Sequence, residues 1–375
     1  MLSRLSGLYT QSSHFRALIL PTIRQFSKTS ANAARGIGGR YAQQAMISFN
    51  MFISYCLGFA VREKVGPTLR EKLLGPTTGK PFIYGTYAVA GASALGIGML
   101  CYYGLGLSKE ASIMSQSALW PQHVRDRLKS TYGYLAASLA VTAASGVAAS
   151  RSYTIMRLMS SGSLVTTFAT LAVIVGSGMI TQAISYDNTV LKHAAWLTHA
   201  GLFGAMLAPL CFLGGPVLIR AAWYTAGIVA GLSFTAISAP SEKFLMMTGP
   251  LAMGLGVVFV ANIGTFFLPP GSALGAGLAS IVVYGGLILF SMFLLHDTQR
   301  VVKLAESYPV HNRPSSPASY SYGNYGYGVQ DMDMQPYLKR YDPINAQMSI
   351  YLDVLNIFIR LAMIMGGMGG NRRRR

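Results

Sequence analysis

Ser349-Ile350-Tyr351-Leu352-Asp353-Val354-Leu355-Asn356-Ile357-Phe358 reads as the body of a membrane helix with a carboxylate inside it. If the apolar run starts at Ala346, Asp353 lies two turns in, roughly 10 Å below the helix start at 1.5 Å per residue. An ionisable group at such depth costs about 2.5–3.5 kcal/mol on insertion scales, which marks it for function, with a partner that offsets its burial. A second carboxylate, Asp297 in Leu294-Leu295-His296-Asp297-Thr298-Gln299, closes the preceding apolar segment. The chain has only 12 acidic residues, and these two are the ones placed in its C-terminal hydrophobic segments.

Composition assigns the membrane class. At 52% hydrophobic and 11% charged residues, the chain lies far from the roughly 25% charged content of soluble domains. Between Lys243 and Asp297 there is no Asp, Glu, Lys or Arg, a run long enough for two spans. The net charge of +18 does not indicate nucleic acid, because its basic residues gather in the N-terminal segment, the loops and the tail Arg372-Arg373-Arg374-Arg375. No recognition motif accompanies them. Positive flanks for insertion and contact with anionic inner-membrane lipids explain the charge. Cys56, Cys101 and Cys211 all lie in apolar stretches without C-x-x-C spacing and form no disulfide framework.

Residues 1–62 contain no acidic residue but carry Arg4, Arg16, Arg24, Lys28, Arg35, Arg40 and Arg62 among scattered serines. That is the composition of a mitochondrial transit peptide over 1–45, not of a secretory signal. Arg24, Phe26 and Ser27 form a matrix-processing pattern that places cleavage near 26–27. Residues 46–81 follow as an amphipathic and polar linker, broken by Gly66-Pro67 and Gly75-Pro76.

Eight apolar segments of near-spanning length come next. They are Phe82–Leu107, Thr131–Ala149, a segment between Leu158 and Gln182, Ala194–Leu213, Pro216–Ile237, Leu245–Leu268, Ala273–Leu295 and Ala346–Met365. A charged loop ending at Lys129 separates the first two, and only Gly214-Gly215 separates the fourth from the fifth. Small residues are dense in the later segments (Gly227, Gly231, Gly254, Gly256, Gly285 and Gly286), which lets helices approach closely in lipid. The expected fold is all-α, one compact bundle. A low-complexity loop, 307–343, rich in Pro, Ser, Gly and Tyr, precedes the last segment, and a basic tail, 367–375, ends the chain.

A single loop joins the segments bearing Asp297 and Asp353, so both carboxylates lie toward one face of the membrane. Provided the seventh helix runs slightly past Asp297, the two meet at similar depth. Carboxylates in contact cannot easily both ionise, and they titrate as a unit. Protonated, they pin two helices together. Deprotonated, they offer oxygen ligands to a hard cation such as calcium. His296, Asn356 and Arg360 are candidates to line the same site. The rival reading pairs Asp353 with Arg360 and Asp297 with Arg300 as structural ion pairs at i,i+7 and i,i+3. His193 and His199 are separated by six residues, do not share a helix face and read as packing residues. No Walker, Rossmann, haem or H-E-x-x-H motif and no serine-protease constellation is present, so an enzyme is not expected.

The two carboxylate motifs resemble those of the transmembrane Bax-inhibitor-motif family. His296-Asp297-Thr298-Gln299 is similar to its apolar-Asp-Thr-Gln end of the penultimate helix. Tyr351-Leu352-Asp353-Val354-Leu355-Asn356-Ile357-Phe358 is similar to its final helix. Tyr341-Asp342-Pro343-Ile344-Asn345, the transit peptide and the extra first span resemble a mitochondrial branch. The resemblance implies a seven-helix domain over 131–366 around a central C-terminal helix, plus one extra transmembrane helix at 82–107. It further implies a pH-sensitive di-aspartyl calcium path at Asp297 and Asp353, with calcium and protons as the transported species and no cofactor. For the mitochondrial branch it implies the inner membrane, calcium/proton exchange, cristae organisation, apoptosis control and retention of cytochrome c. Partners there would include inner-membrane proteases or cristae-organising proteins. The alternatives are a structural cristae protein without transport and a pH-gated calcium leak channel. The segment Leu158–Gln182 lacks the acidic residue and the arginine that better-described relatives carry in the second core helix.

Overall fold

A computed structural model of the chain describes residues 46, 47, 50, 80–104, 120–160, 164–240, 243–268, 272–308 and 340–368. The transit peptide with Arg24, Phe26 and Ser27, most of the 46–81 linker, most of the 307–343 loop and nearly all of the basic tail lie outside those residues. The chain divides into two units, Met1–Ser48 and Phe49–Arg375. Of the first, Met46 and Ile47 are described, and both are helical.

The second unit is all helical, with no β-strand among the described residues. Helices α1 (Lys80–Gly104), α2 (Gln122–Ser150), α3 (Tyr153–Ser160), α4 (Leu164–Ala183) and α5 (Thr189–Leu207) come first. Helix α5 tightens into a 3₁₀ segment, Ala208–Leu213. After it come α6 (Gly215–Ser238), α7 (Thr248–Phe267), α8 (Ala273–Ser280), α9 (Gly286–Ser307) and α10 (Pro343–Met368). Six helical segments are long and apolar enough to cross a membrane: Gln122–Ser150, Thr189–Leu213, Gly215–Ser238, Leu245–Thr265, Ala273–Ser307 and Pro343–Gly366. The apolar parts of two more, Tyr87–Met99 and Ala169–Ala183, are shorter. In lipid every backbone N–H and C=O must be satisfied within the chain, and a helix does this residue by residue.

Several boundaries differ from the sequence expectation. Helix α2 begins at Gln122, nine residues before Thr131, because the amphipathic turns carrying Arg125, Arg127 and Lys129 continue the helix beyond its apolar part. The helix expected between Leu158 and Gln182 is α4, Leu164–Ala183, with the short α3 before it. The segment expected to end at Leu295 runs on to Ser307. Asp297 is therefore well inside a helix, not at its end.

Helix α10 packs against α2, α6 and α9, and 78% of its most apolar window is buried, against 11% for Gly215–Ser238. Helix α2 lies on α5, where the two backbones nearly touch. A methyl group on Gly204 would overlap the Thr142 carbonyl oxygen and the Gly146 amide. Helix α4 covers α5, α7 covers α8 and α9, and α1 lies against α6 and α8. The reversal between α5 and α6 turns on Gly214, whose φ of 94° suits only glycine.

One irregularity positions the site. Between α8 and α9 the backbone makes a π turn, Ile281–Gly285, inside an otherwise continuous rod of 35 residues. Such turns are rare and concentrate at functional sites, because they release a carbonyl from the regular ladder.

Candidate functional site

Asp297 lies on α9 and Asp353 on α10, on helices that pack against each other. Asp353 is ten residues into α10, roughly 15 Å from its start. It has no exposed surface, and neither carboxylate oxygen has a hydrogen-bond partner. Asp297 and Arg300 lie within electrostatic reach of it. Thus the structure brings the two sequence-identified carboxylates within electrostatic reach of each other.

Asp297 is only 1% exposed. Its Oδ1 meets His296 Nδ1 at 2.7 Å and Arg300 Nη1 at 3.9 Å, while Oδ2 has no hydrogen-bond partner. The far side of the imidazole, Nε2, is 3.0 Å from Thr248 Oγ1. That hydroxyl already donates to Leu245 O at 2.8 Å, so toward His296 it accepts and Nε2 carries a proton. The Nδ1···Oδ1 contact then needs a second proton, on one atom or the other.

Next along the motif, Thr298 donates to Leu294 O, and Gln299 braces the connection from α6 to α7. Its Oε1 accepts from Phe244 N at 2.9 Å, and its Nε2 donates to Ala236 O and Pro240 O. The four residues of this motif thus fix the neighbouring turn and hold the acidic group above it.

Asn356 and Arg360 lie deeper on α10. Asn356 Nδ2 donates to Leu352 O, and Asn356 Oδ1 accepts from Arg360 Nη1 at 2.7 Å. Arg360 forms no ion pair with Asp353 among the described residues, which rules out the i,i+7 pairing considered from sequence. The Asp297–Arg300 pairing is present but long, with the arginine side chain 31% exposed.

Residues 124–371 match the family described as inhibitor of apoptosis-promoting Bax1. The chain belongs to this Bax inhibitor family. It is 49% identical over 317 residues to the growth hormone-inducible transmembrane protein of Rattus norvegicus, covering 84% of each chain. It is 31% identical over 118 residues to rat Bax inhibitor 1, 31% of this chain and 47% of the relative. An uncharacterized membrane protein of Vibrio cholerae is 28% identical over 178 residues, 46% of this chain and 61% of that one. No solved structure matches. The chain is thus a multi-pass membrane protein of the Bax inhibitor family, a family not known as enzymes.

Within the family region the structure adds a second ionic centre that sequence reasoning missed. Lys192, at the start of α5, has no exposed surface and stands 2.7 Å from Asp342 Oδ2. It also donates to Thr181 O, Ile184 O and Asn345 Oδ1 at 2.7–2.9 Å. Asp342 Oδ1 accepts from the amides of Ile344 and Asn345, both at 3.0 Å, and so caps α10. The signal was available: Asp directly before Pro opens a helix, with Pro at the first position where no amide is needed. Lys192 looked like a positive flank and gave no such cue.

Above this centre lies a polar cavity of about 280 Å³ lined by Asp126, Arg127, Ser130, Tyr186, Arg340, Tyr341 and Pro343. Burial pushes the Tyr341 phenol above its ordinary value, so it stays neutral and shares a 2.7 Å hydrogen bond with Thr131 Oγ1. His193 and His199 are apart as expected, hydrogen-bonded to Tyr134 and Ser177 respectively.

Proposed function

We propose that the protein is a mitochondrial inner-membrane cation transporter that exchanges calcium for protons at Asp297 and Asp353. The observation that carries this reading is Asp353, fully buried on a membrane helix, with both oxygens unpartnered and a second acidic group facing it. An uncompensated buried carboxylate must take up either a proton or a cation. Two carboxylates supply up to four oxygens, while calcium takes six to eight, so water and backbone would complete its shell. Among the described residues no group of three or more His, Cys, Asp or Glu side chains stands ready to hold a metal. Two carboxylates suit an ion in transit rather than a resident one.

Exchange then follows from charge. In the cation-free state of this scheme His296 and Asp297 share a proton across their 2.7 Å contact and Asp353 carries another. Arrival of a divalent cation displaces protons from the same oxygens, and a proton arriving from the other side displaces the cation. The finer architecture is proposed on the same footing: a seven-helix domain over 131–366 around α10, with α1 as an extra N-terminal helix. The acid-free N-terminus supports a transit peptide and mitochondrial import. Calcium homeostasis, cristae organisation and apoptosis control are the roles such a carrier would serve, with cytochrome c or inner-membrane proteases as candidate partners.

The test is calcium uptake by proteoliposomes under an imposed pH gradient, comparing wild type with Asp297→Asn and Asp353→Asn. Gradient-driven uptake lost in both variants is the expected result. Uptake indifferent to the gradient would identify a leak channel. Absence of uptake from folded protein would reject transport and leave a structural protein.

A further inference from the structure

Arg360 leads the fully buried side chains in size, and among the described residues no carboxylate meets it. Its Nε donates to Val282 O at 3.2 Å, the carbonyl that the π turn presents. Its Nη1 donates to Asn356 O at 3.1 Å and Asn356 Oδ1 at 2.7 Å. The guanidinium stacks over Phe290, 4.5 Å from the ring centroid, and Nη2 has no hydrogen-bond partner. Every one of these acceptors is neutral. They cushion a positive charge without cancelling it.

Its place in the bundle gives that charge a consequence. Arg360 lies seven residues beyond Asp353 on α10, roughly 10 Å further along the axis. On α9, which runs the other way, Phe290 precedes Asp297 by seven residues and packs on Arg360. Along the α9/α10 seam the order is therefore Asp342 with Lys192, then Asp297 with Asp353, then Arg360. The arginines flanking the two carboxylates differ in freedom. Arg300 is 31% exposed and reaches Asp297 only across a long contact of 3.9 Å. Arg360 is wedged: a methyl group on Gly286 would overlap its guanidinium, so glycine alone leaves room for it.

We propose that Arg360 is a fixed positive plug that closes the seam beyond Asp353 to cations, so that a cation reaching the carboxylate site cannot continue past it along α10. The plug works as fixed positive charges do in cation-excluding pores, by electrostatic repulsion in a low-dielectric constriction. It rests on the reading of Asp297 and Asp353 as the stopping point of a cation. It adds the element that keeps exchange from becoming a leak.

The experiment measures potassium efflux and calcium entry without a pH gradient, in proteoliposomes of the full chain. Wild type, Arg360→Gln and Arg360→Lys are compared. Removing a unit charge roughly 10 Å away, at an effective dielectric constant of about 20, raises the leak roughly 15-fold for a monovalent ion and roughly 300-fold for a divalent one. Arg360→Lys keeps the charge and stays tight. A folded Arg360→Gln protein as tight as wild type overturns the plug. Equal leak in the Gln and Lys variants also overturns it, since packing rather than charge would then be at work. If Arg360→Gln cannot be isolated folded, Gly286→Ala displaces the guanidinium while leaving it in the protein. Leak is expected there too, and tightness overturns the proposal. The two readings separate cleanly. A leaking Arg360→Gln beside a wild type without pH-driven uptake rejects the exchanger and keeps the plug. pH-driven uptake in wild type with a tight Arg360→Gln does the reverse.

Discussion

Two carboxylates on one stretch of chain, Asp342 and Asp353, are both buried and are treated in opposite ways. Asp342, at the head of α10, has a lysine at 2.7 Å and two backbone amides at 3.0 Å. Asp353, eleven residues on, has neither a hydrogen bond nor a cation in contact. The first arrangement is what folding requires of a buried charge, since pairing and hydrogen bonds recover its lost hydration. The second is what folding alone would discard. A buried acid held without partners is tolerated only if it stays protonated or exchanges its proton for something else, which is why we read the first as structural and propose transport for the second.

The comparison breaks most readily at Lys192. Lys192→Met leaves Asp342 buried without its cation and is expected to destabilise the protein by about 3–5 kcal/mol, seen as early thermal aggregation in detergent. Adding Asp342→Asn should restore much of that loss, because asparagine still caps α10 and no charge is left stranded. Asp342→Ala in the same Lys192→Met background should be less stable than Asp342→Asn by about 1 kcal/mol, the worth of the cap. A cost below about 1 kcal/mol for Lys192→Met alone would mean the pair is not structural, and the contrast with Asp353 would lose its first term.

A neutral contact sets the scale between these extremes. Thr142 Oγ1 lies 2.6 Å from Tyr351 OH and joins α2 to α10 two residues before Asp353. Interhelical hydrogen bonds of this kind average about 0.6 kcal/mol in membranes and reach about 1.7. Thr142→Val, Tyr351→Phe and the double variant, measured as a thermodynamic cycle, should give a coupling in that range. A coupling of several kcal/mol would show that α10 is held by its polar network rather than by packing.

Much of this was legible in the sequence because the membrane makes charge conspicuous. In a run from Lys243 to Asp297 without an Asp, Glu, Lys or Arg, the acid that ends it stands out, as does Asp353 inside its own apolar segment. Helix existence followed from apolar length. Helix ends did not, since polar turns such as Gln122–Ser130 continue α2 beyond its apolar part and the turns after Asp297 extend α9 to Ser307. The pairing of Lys192 with Asp342 joins residues 150 positions apart, and no local pattern encodes it. Nor could the partner of Arg360 be read from spacing. Seven residues put it on the face of Asp353, yet Asn356 stands between, and the π turn of the rod ending in α9 offers the carbonyl that takes its Nε.

The smallest expected effect on stability is the sharpest test. Asp353→Asn replaces a carboxyl that has no hydrogen-bond partner with an isosteric amide that is never charged. No contact is lost and no cavity opens, so stability should change by no more than about 1 kcal/mol. The same variant is expected to abolish pH-driven calcium uptake. That combination, intact fold and absent flux, separates a functional acid from a structural one more cleanly than loss of activity by itself. If Asp353→Asn instead destabilises the protein as much as Lys192→Met, the carboxyl must be making contacts in the membrane that tie α9 to α10. Asp353 would then belong with Asp342 as a helix clasp.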